Sequence, residues 1–426
     1  DLFQETVGRG IHHLPAERLQ AELELFVKTG VAEVRVLDPA FNFPPERGQR
    51  LLRLLAERAP GLRYILEARA DFLDRETVRL LSQLACSVRL DLISARPEVL
   101  RLLHRTFDPE LFASQIHLLA SEGVDFSLAL FWGLQGDNLE GFRQSLDWAL
   151  SLAPQRLDLF PQPDHPGHLL YRHRAEFGLI PTRSEGNRGE SAWSLPELET
   201  CRHLAAATDL FYNQGRAAPF FGPLLQATNS RPALFLEEFA AWATGPGQVE
   251  EARFFSAADW PAEEILLLQE NYLTCRLRQL ERSDLVAAAV DLIRFHYHHT
   301  QMQAEPETTP LSPESLQGLD LWETRWRKAP QARLVAFSYE VLGLQECRDI
   351  NLEDFASLFR PVGSVAIFLR RDGMVLCESL AESFLRLLQE SNGERSPREI
   401  FSGSISRQEG EEIVECAVEE GFLVRA

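Results

Sequence analysis

Short apolar runs recur at regular intervals along the first two hundred residues. The clearest runs are Val34–Leu37, Tyr64–Leu66, Val88–Ile93 and Phe126–Phe131. Apolar and polar positions do not alternate cleanly within them, which is typical of strands that are buried on both faces. The runs begin roughly 25–40 residues apart, a spacing that accommodates one strand, one helix and two short loops. The pattern therefore predicts a parallel α/β domain.

Helix-start residues lie between the predicted strands. Pro15 and Pro97 stand before segments whose apolar positions recur with helical spacing, and Asp74 precedes a third such segment. Asp137 and Asn138 precede a fourth. Proline suits the first helical turn, and aspartate or asparagine suits the capping position. We expect one helix after each strand, with Asp137 as a cap.

The pattern becomes helical from about residue 185 to residue 320. Leu195 begins a helix that we expect to continue through Leu204, with its last turns at 209–214 and Gly215 as the cap. An apolar helix over 284–295 precedes the histidine-rich segment 296–299, which we interpret as a helix end because histidine complements the negative end of the helix dipole. Three prolines within 301–315 indicate a linker.

The C-terminal part predicts a small α+β domain. A strand over 365–369 leads into the turn 371–374 and returns over 375–377. Helices follow at 380–389, from Ser396 and at 411–420, and the strand 421–424 ends the chain. The predicted organisation is a partial barrel over 1–184, a helical extension over 185–300, a linker and helical connection over 301–362, and this small domain over 363–426.

Composition limits the possible classes of function. The chain has 426 residues, is 45% hydrophobic, and carries a net charge of −20. That charge repels phosphate backbones, so we expect no general nucleic-acid binding. No run is long and apolar enough to span a membrane. The six cysteines lie far apart in sequence, which fits a reducing cytoplasm better than a disulfide framework.

Polar residues follow two of the predicted strands. Asp38 and Asn42 come after the first strand, and Glu67 and Arg69 come after the second. In a parallel barrel, ligands bind where the carboxyl ends of the strands meet. Glu67 and Arg69 alternate along an extended segment, so both can face the barrel mouth and contact an amino-acid ligand. The alternative is that they pair with each other and only order the loop.

Two further turns lie at strand ends. Ser94 ends the third strand, and Gly133 begins the turn Gly-Leu-Gln-Gly-Asp after the fourth. Glycine at 133 and at Gly136 allows the backbone to approach an adenine or ribose closely. Asp137 completes the motif. Such a turn is common in α/β proteins, so by itself it indicates little. It supports a ligand site because it follows the preceding motifs in order.

Taken in order, these motifs resemble the radical S-adenosylmethionine (SAM) superfamily, in particular its cobalamin-binding branch. Glu5-Thr6 resembles the start of the family's cysteine loop, and Gly133-Leu134-Gln135-Gly136-Asp137 resembles its G-L-P-G-D turn. The resemblance implies a partial TIM-like barrel that binds SAM and a [4Fe-4S] cluster for radical chemistry, such as methyl transfer or peptide modification. It also implies that SAM contacts a set of loop residues: Asp38, Asn42, Glu67, Arg69, Ser94, Gly133, Gly136 and Asp137.

The chain departs from this family at its cysteines. The family holds its cluster on a C-x3-C-x2-C loop, whereas here no two cysteines are near enough to share a loop. The segment between Thr6 and His13 is shorter than the family's, and Asp1 in first position suggests a fragment. The family's N-terminal cobalamin domain has no counterpart, and Ile93 replaces a usual glutamine. We therefore predict no metal ligands and carry over no cobalamin site.

Two other features leave alternatives open. The strands and helices after residue 363 resemble winged-helix peptide-clasp domains, which implies either leader-peptide binding at a strand edge or an ordinary packing module. The pairs His12-His13 and His165/His168 are interpreted as surface or junction residues rather than metal ligands. Two functions remain: a radical enzyme acting on a small-molecule or peptide substrate, or a non-redox barrel that serves as a binding or scaffold partner.

Overall fold

The computed structural model describes residues 14–162, 193–316, 318–346 and 351–426. The chain divides into two compact units. The first comprises residues 1–225 and 230–265, and the second comprises residues 226–229 and 266–426. Among the described residues, no helix is long and apolar enough to cross a membrane.

A curled sheet of five parallel strands forms the centre of the first unit. Its strands are in sequential order, each paired with the next. They are β1 (Glu33–Arg35), β2 (Arg63–Ala68), β3 (Cys86–Ile93), β4 (Asp125–Trp132) and β5 (Arg156–Pro161). The sequential order and the curl make a half-barrel, which confirms the predicted partial TIM-like fold.

Helices cover the outer face of this sheet. They are α1 (Ala16–Thr29), α2 (Pro45–Arg58), α3 (Arg75–Leu81), α4 (Pro97–Leu102), α5 (Pro109–Ser121) and α6 (Leu139–Ser151). The predicted starts at Pro15, Asp74 and Pro97 are confirmed, and Asp74 accepts a hydrogen bond from the Thr77 amide. The cap of α6 is Asn138, which accepts from the Gly141 amide, so the prediction of Asp137 as the cap is wrong.

A helical extension follows the sheet. It contains α7 (Leu195–Ala207), a π-helix (Thr208–Gln214), α8 (Phe221–Thr228), α9 (Pro232–Ala243) and α10 (Glu251–Phe254). Ser194 and Glu197 form a reciprocal capping box that fixes the start of α7. Gly215 has a right-handed conformation and the left-handed residue is Arg216, so the predicted glycine cap is not of the left-handed type.

The π-helix protects the outer edge of β5. The Asn213 side chain donates to the Leu157 carbonyl and accepts from the Leu157 amide, both at 2.9 Å. The Tyr212 hydroxyl donates to the Pro154 carbonyl at 2.6 Å. These contacts satisfy strand groups that a sixth strand would otherwise pair. In the part of the chain that the structure describes, the motif Phe-Tyr-Asn therefore covers the outer edge of β5.

The second unit contains α11 (Ala262–Gln279) from its second turn, α12 (Val286–Ala304), α13 (Pro313–Leu316), α14 (Val341–Glu346) and α15 (Leu352–Leu358). Helix α12 continues through His296–His299 and ends at Ala304, so the interpretation of the histidines as a helix end is wrong. Because α12 ends only at Ala304, the first four residues of the predicted linker, 301–304, are helical.

Two antiparallel sheets complete the second unit. One consists of β7 (Arg333–Phe337), β8 (Ser364–Arg371) and β9 (Met374–Ser379), and the other pairs β6 (Trp326–Lys328) with β10 (Leu423–Arg425). The turn between β8 and β9 has Asp372 and Gly373 in left-handed conformations, as a two-residue hairpin requires.

Three helices pack on the C-terminal sheets: α16 (Glu382–Glu390), α17 (Pro397–Phe401) and α18 (Arg407–Glu419). Their shared core includes Ile367, Leu387 and Val418, together with Trp322 and Trp326 from the segment before residue 363. The predicted boundary at 363 therefore passes between two paired strands, β7 and β8.

Candidate functional site

The carboxyl ends of β1–β5 define one end of the half-barrel, here called the mouth. The loop after β1 is held by two polar side chains. Asp38 forms an ion pair with Arg47 and accepts from the Ala40 amide. Asn42 is fully buried; its amide donates to the Arg69 carbonyl at 2.8 Å and accepts from the Arg69 amide at 3.0 Å. Asn42 therefore positions the loop after β2 by binding its backbone.

Glu67 and Arg69 do not pair with each other. Glu67 lies 3.8 Å from Arg35 on the neighbouring strand, and Arg69 pairs with Asp71 at 3.0 Å. The Arg69 guanidinium also lies 4.9 Å from the centre of the Phe72 ring. Both side chains keep part of their surface exposed, so both remain accessible to a ligand.

Ser94 and Asp137 lie beneath the mouth, each only 1% exposed. The Ser94 hydroxyl accepts from the Arg96 amide, and Arg96 donates to Asp137 at 2.9 Å. Burial raises the pKa of Asp137 although Arg96 opposes the effect. A Cβ on Gly141 would lie 2.0 Å from the Arg96 guanidinium, so glycine makes room for this pair. The pair ties the turn after β4 to the turn after β3.

Two glycines and one strained residue shape the same region. Gly133 and Gly136 have φ of 81° and 76°, a conformation that favours glycine. A Cβ on Gly136 would lie 2.3 Å from Leu102, so the Leu102 side chain covers this glycine. Ile93 also has a positive φ, 68°, which is costly for a β-branched residue. It follows a bulge that interrupts the pairing of β3 with β4 between Asp91 and Ile93.

Arg105, which the sequence analysis missed, adds a cation to the mouth. It lies in the loop after α4, and its side chain forms no hydrogen bond or ion pair with any residue the structure describes. The residue is exposed, yet protein atoms around its guanidinium displace enough water to lower its pKa. Asp91, Arg69 and Asp71 are the charges that act on it. Arg105 lies outside the sequence motifs, between Ser94 and the Gly133 turn, so no sequence signal identified it.

The side chains of β3 that face the inside of the half-barrel include Arg89. Its Nε atom is buried without a hydrogen-bond partner in the described part of the chain, and it lies 3.5 Å from the Asp91 carboxylate. Its guanidinium lies 5.5 Å from the centre of the Phe160 ring on β5. The inner face therefore carries a cation whose hydrogen-bonding capacity is not filled.

The described cysteines do not fit a cluster site. Cys86 lies at the amino end of β3, opposite the mouth, and Cys201 lies within α7. Burial raises the pKa of each thiol to about 12. The two thiols lie on different elements and share no loop, whereas a cluster needs three thiolates that converge on one site. Cys275, Cys377 and Cys416 belong to the second unit. Cys347 lies outside the described residues, as do the pairs His12-His13 and His165/His168.

One group outside the mouth has metal-ligand side chains. Glu199, His203 and Glu251 bring their ligand atoms within 4.8 Å of one another. Arg202 already pairs with Glu199 at 2.7 Å and with Glu251 at 3.7 Å. An internal cation thus neutralises the two carboxylates.

Five parallel strands, outer helices and a polar mouth define a half-barrel protein of the TIM-like class. Within that class, the sequence profile of the Radical SAM superfamily matches residues 3–149. This part of the chain is therefore similar to the radical SAM superfamily domain. No curated protein matches the chain closely enough to count as a relative.

Several solved structures resemble parts of the chain. The radical SAM methyltransferase TsrM from Kitasatospora setae, solved with cobalamin and a [4Fe-4S] cluster, is 20% identical; the match covers 37% of this chain and 30% of TsrM, with a TM-score of 0.34. The coproporphyrinogen III oxidase HemN from Escherichia coli is 19% identical over 35% of this chain and 37% of HemN, with a TM-score of 0.31. Streptococcus suis SuiB, solved with its precursor peptide SuiA, is 14% identical over 48% and 41%, with a TM-score of 0.33. The chain thus spans less than half of each of these proteins.

Proposed function

We propose that this chain is a radical SAM-type barrel that binds an adenosyl ligand at its mouth without holding a cluster on its own cysteines. The distribution of the cysteines carries this proposal. A site-differentiated [4Fe-4S] cluster needs three thiolates that converge on one site, and here no two cysteines share a loop. The two thiols of the first unit are buried on different elements, Cys86 at the amino end of β3 and Cys201 within α7. Alone, the chain is then a binding or scaffold protein.

The superfamily match favours SAM as the ligand. SAM carries a carboxylate and an ammonium group on its methionine part. Arg105 offers the carboxylate a guanidinium that pairs with no described residue, and Glu67 offers a partly exposed carboxylate for the ammonium group. Asn42, Ser94 and Asp137 are buried, so we assign them to holding the loops rather than to direct contact. We assign no residue to cobalamin.

Radical enzyme activity would require thiolates that do not come from this chain. Radical chemistry requires reductive cleavage of SAM by an electron from the cluster. If another polypeptide segment supplied three thiolates at the mouth, the same half-barrel would serve methyl transfer or peptide modification. Without them, SAM lacks the iron that binds its amino and carboxylate groups, so we expect weak binding.

Calorimetry with SAM tests the proposal. We expect wild type to bind, and Arg105→Gln to bind about tenfold more weakly, since a hydrogen bond to a charged group is worth about 1.5 kcal/mol or more. Arg18→Gln is the matched control, because Arg18 is exposed on α1 and pairs only with Glu22 among the described residues. No heat from folded wild type would contradict the proposal. Equal affinity in wild type and Arg105→Gln would remove Arg105 from the site.

A second candidate function is binding of an extended peptide at the C-terminal sheet. The first strand predicted in this domain, at 365–369, offers no free edge, because β8 lies between β7 and β9. Strand β7 offers an edge instead. The backbone groups of Leu334 and Ala336 point away from β8 and form no hydrogen bond with a described residue. An extended peptide, such as a leader segment, gains backbone hydrogen bonds at such an edge.

Proline substitution tests this second function. Ala336→Pro removes one edge amide, so it should weaken binding of a precursor peptide encoded beside the gene, measured by fluorescence anisotropy. Glu353→Pro, in the first turn of α15, is the control because proline is tolerated there. Equal binding by both variants would exclude the β7 edge as the peptide site.

A further inference from the structure

Asp91 occupies a distinctive place on the central strand. In β3, Cys86, Val88, Leu90 and Leu92 are buried against the outer layer, so the alternate residues Ser87, Arg89 and Asp91 face the inside of the half-barrel. The Asp91 side chain is 51% exposed, and the bulge begins at this residue. Bulges re-aim side chains and are frequent beside binding sites. The Asp91 carboxylate therefore lies at the mouth.

Two arginines lie within electrostatic reach of this carboxylate. Arg89 approaches it through Nε at 3.5 Å, but that atom makes no hydrogen bond to any described residue. Among the charges around Arg105, Asp91 has the strongest influence, yet the two do not form an ion pair. Asp91 thus lowers the electrostatic attraction of both arginines for an anion without filling their hydrogen-bonding capacity.

We propose that Asp91 determines ligand specificity at the mouth by competing with the carboxylate of an adenosyl ligand for Arg89 and Arg105. This inference rests on the proposed function, because it concerns the same site. Guanidinium groups bind carboxylates through paired hydrogen bonds, and a ligand carboxylate beside Asp91 would face a like charge. Asp91 therefore weakens ligands that carry a carboxylate and leaves ligands without one unaffected.

Two nucleosides that differ in the amino-acid part, and so in the carboxylate, provide the test. S-adenosylhomocysteine carries the amino acid and its carboxylate, whereas 5′-methylthioadenosine is a similar thioether without them. Asp91→Asn keeps the size of the side chain and removes its charge. By calorimetry, we expect Asp91→Asn to bind S-adenosylhomocysteine about fivefold more tightly than wild type, as for one partly exposed charge contact. Binding of 5′-methylthioadenosine should not change.

Two further variants separate a specific effect from a general one. Glu33→Gln removes an equally exposed carboxylate from the inner face at β1, where its partner is Arg63, so it should not tighten either nucleoside. Asp91→Asn introduced into a variant that already carries Arg89→Gln and Arg105→Gln should give little of the gain. A gain that survives in that background, or that appears equally in Glu33→Gln, would overturn the competition.

The outcomes for the two proposals are distinct. Binding of 5′-methylthioadenosine without any gain for S-adenosylhomocysteine in Asp91→Asn would overturn the role of Asp91 and leave the proposed function standing. Failure of folded wild type and Asp91→Asn to bind either nucleoside would contradict the proposed function, and the role of Asp91 would fall with it. Circular dichroism spectra of all variants establish that each is folded.

Discussion

At the scale of single residues, His298 links stability to pH. It lies within α12, close to the Phe368 ring, and its pKa is lowered to about 4 by burial and by the positive charges of Arg333 and Arg294. The unfolded chain holds its proton up to about pH 6.5. Between these values the unfolded state binds more protons, so the contribution to stability is complete above pH 6.5 and is lost as pH falls towards 4.

The substitution His298→Gln tests this linkage. Wild type should lose about 2 kcal/mol of unfolding free energy between pH 7 and pH 4.5 through this residue, and the variant should show a correspondingly flatter dependence. Urea denaturation at a series of pH values measures it. Parallel pH profiles for the two proteins would show that His298 does not carry the effect.

The candidate site was only partly predictable at this scale. Polar residues at strand ends, such as Asn42 and Asp137, were identified because parallel strands direct them to one edge. Their partners were not, since Asn42 binds a backbone 27 residues away and Asp137 is buried against Arg96. Arg105 lies in a loop without a motif, so only its position in space reveals it.

At the scale of elements, the π-helix covers the outer edge of β5. Asn213 donates and accepts one hydrogen bond each with Leu157. Asn213→Leu would leave both backbone groups of the edge strand unsatisfied, so we expect a loss of about 2–3 kcal/mol in unfolding free energy. Asn213→Asp keeps the acceptor but places a carboxylate beside the Leu157 carbonyl and Asp209, so it should also be less stable than wild type. Denaturant titration of the three proteins measures these losses, and equal stabilities would refute the role of Asn213.

The elements themselves were largely predictable from the sequence. The apolar runs predicted β2 to β4 within about two residues at each end, because buried parallel strands need continuous apolar positions. The positions of the helix ends were less predictable, because neighbouring side chains compete for the capping hydrogen bonds. Asn138 caps α6 rather than Asp137 because Asp137 is bound by Arg96. The π-helix has no apolar periodicity that distinguishes it from an α-helix, so the sequence predicts ordinary helix at 209–214.

At the scale of the whole molecule, the core of the C-terminal sheets sets the smallest fragment that should fold. Residues 363–426 lack β6 and β7, which pair with β10 and β8, and they lack Trp322 and Trp326. We therefore expect fragment 305–426 to give dispersed amide resonances and fragment 363–426 to give narrow, unfolded ones. Dispersed resonances from the shorter fragment would mean that the tryptophans and β7 are dispensable.

The central claim is that this radical SAM-type barrel does not hold a cluster on its own cysteines. Anaerobic reconstitution of the whole chain with iron and sulfide, followed by Mössbauer spectroscopy, tests it most directly. Because Cys86 and Cys201 are buried on different elements and no two cysteines share a loop, we predict no stoichiometric [4Fe-4S] signal. A signal for one [4Fe-4S] cluster per chain would contradict the account.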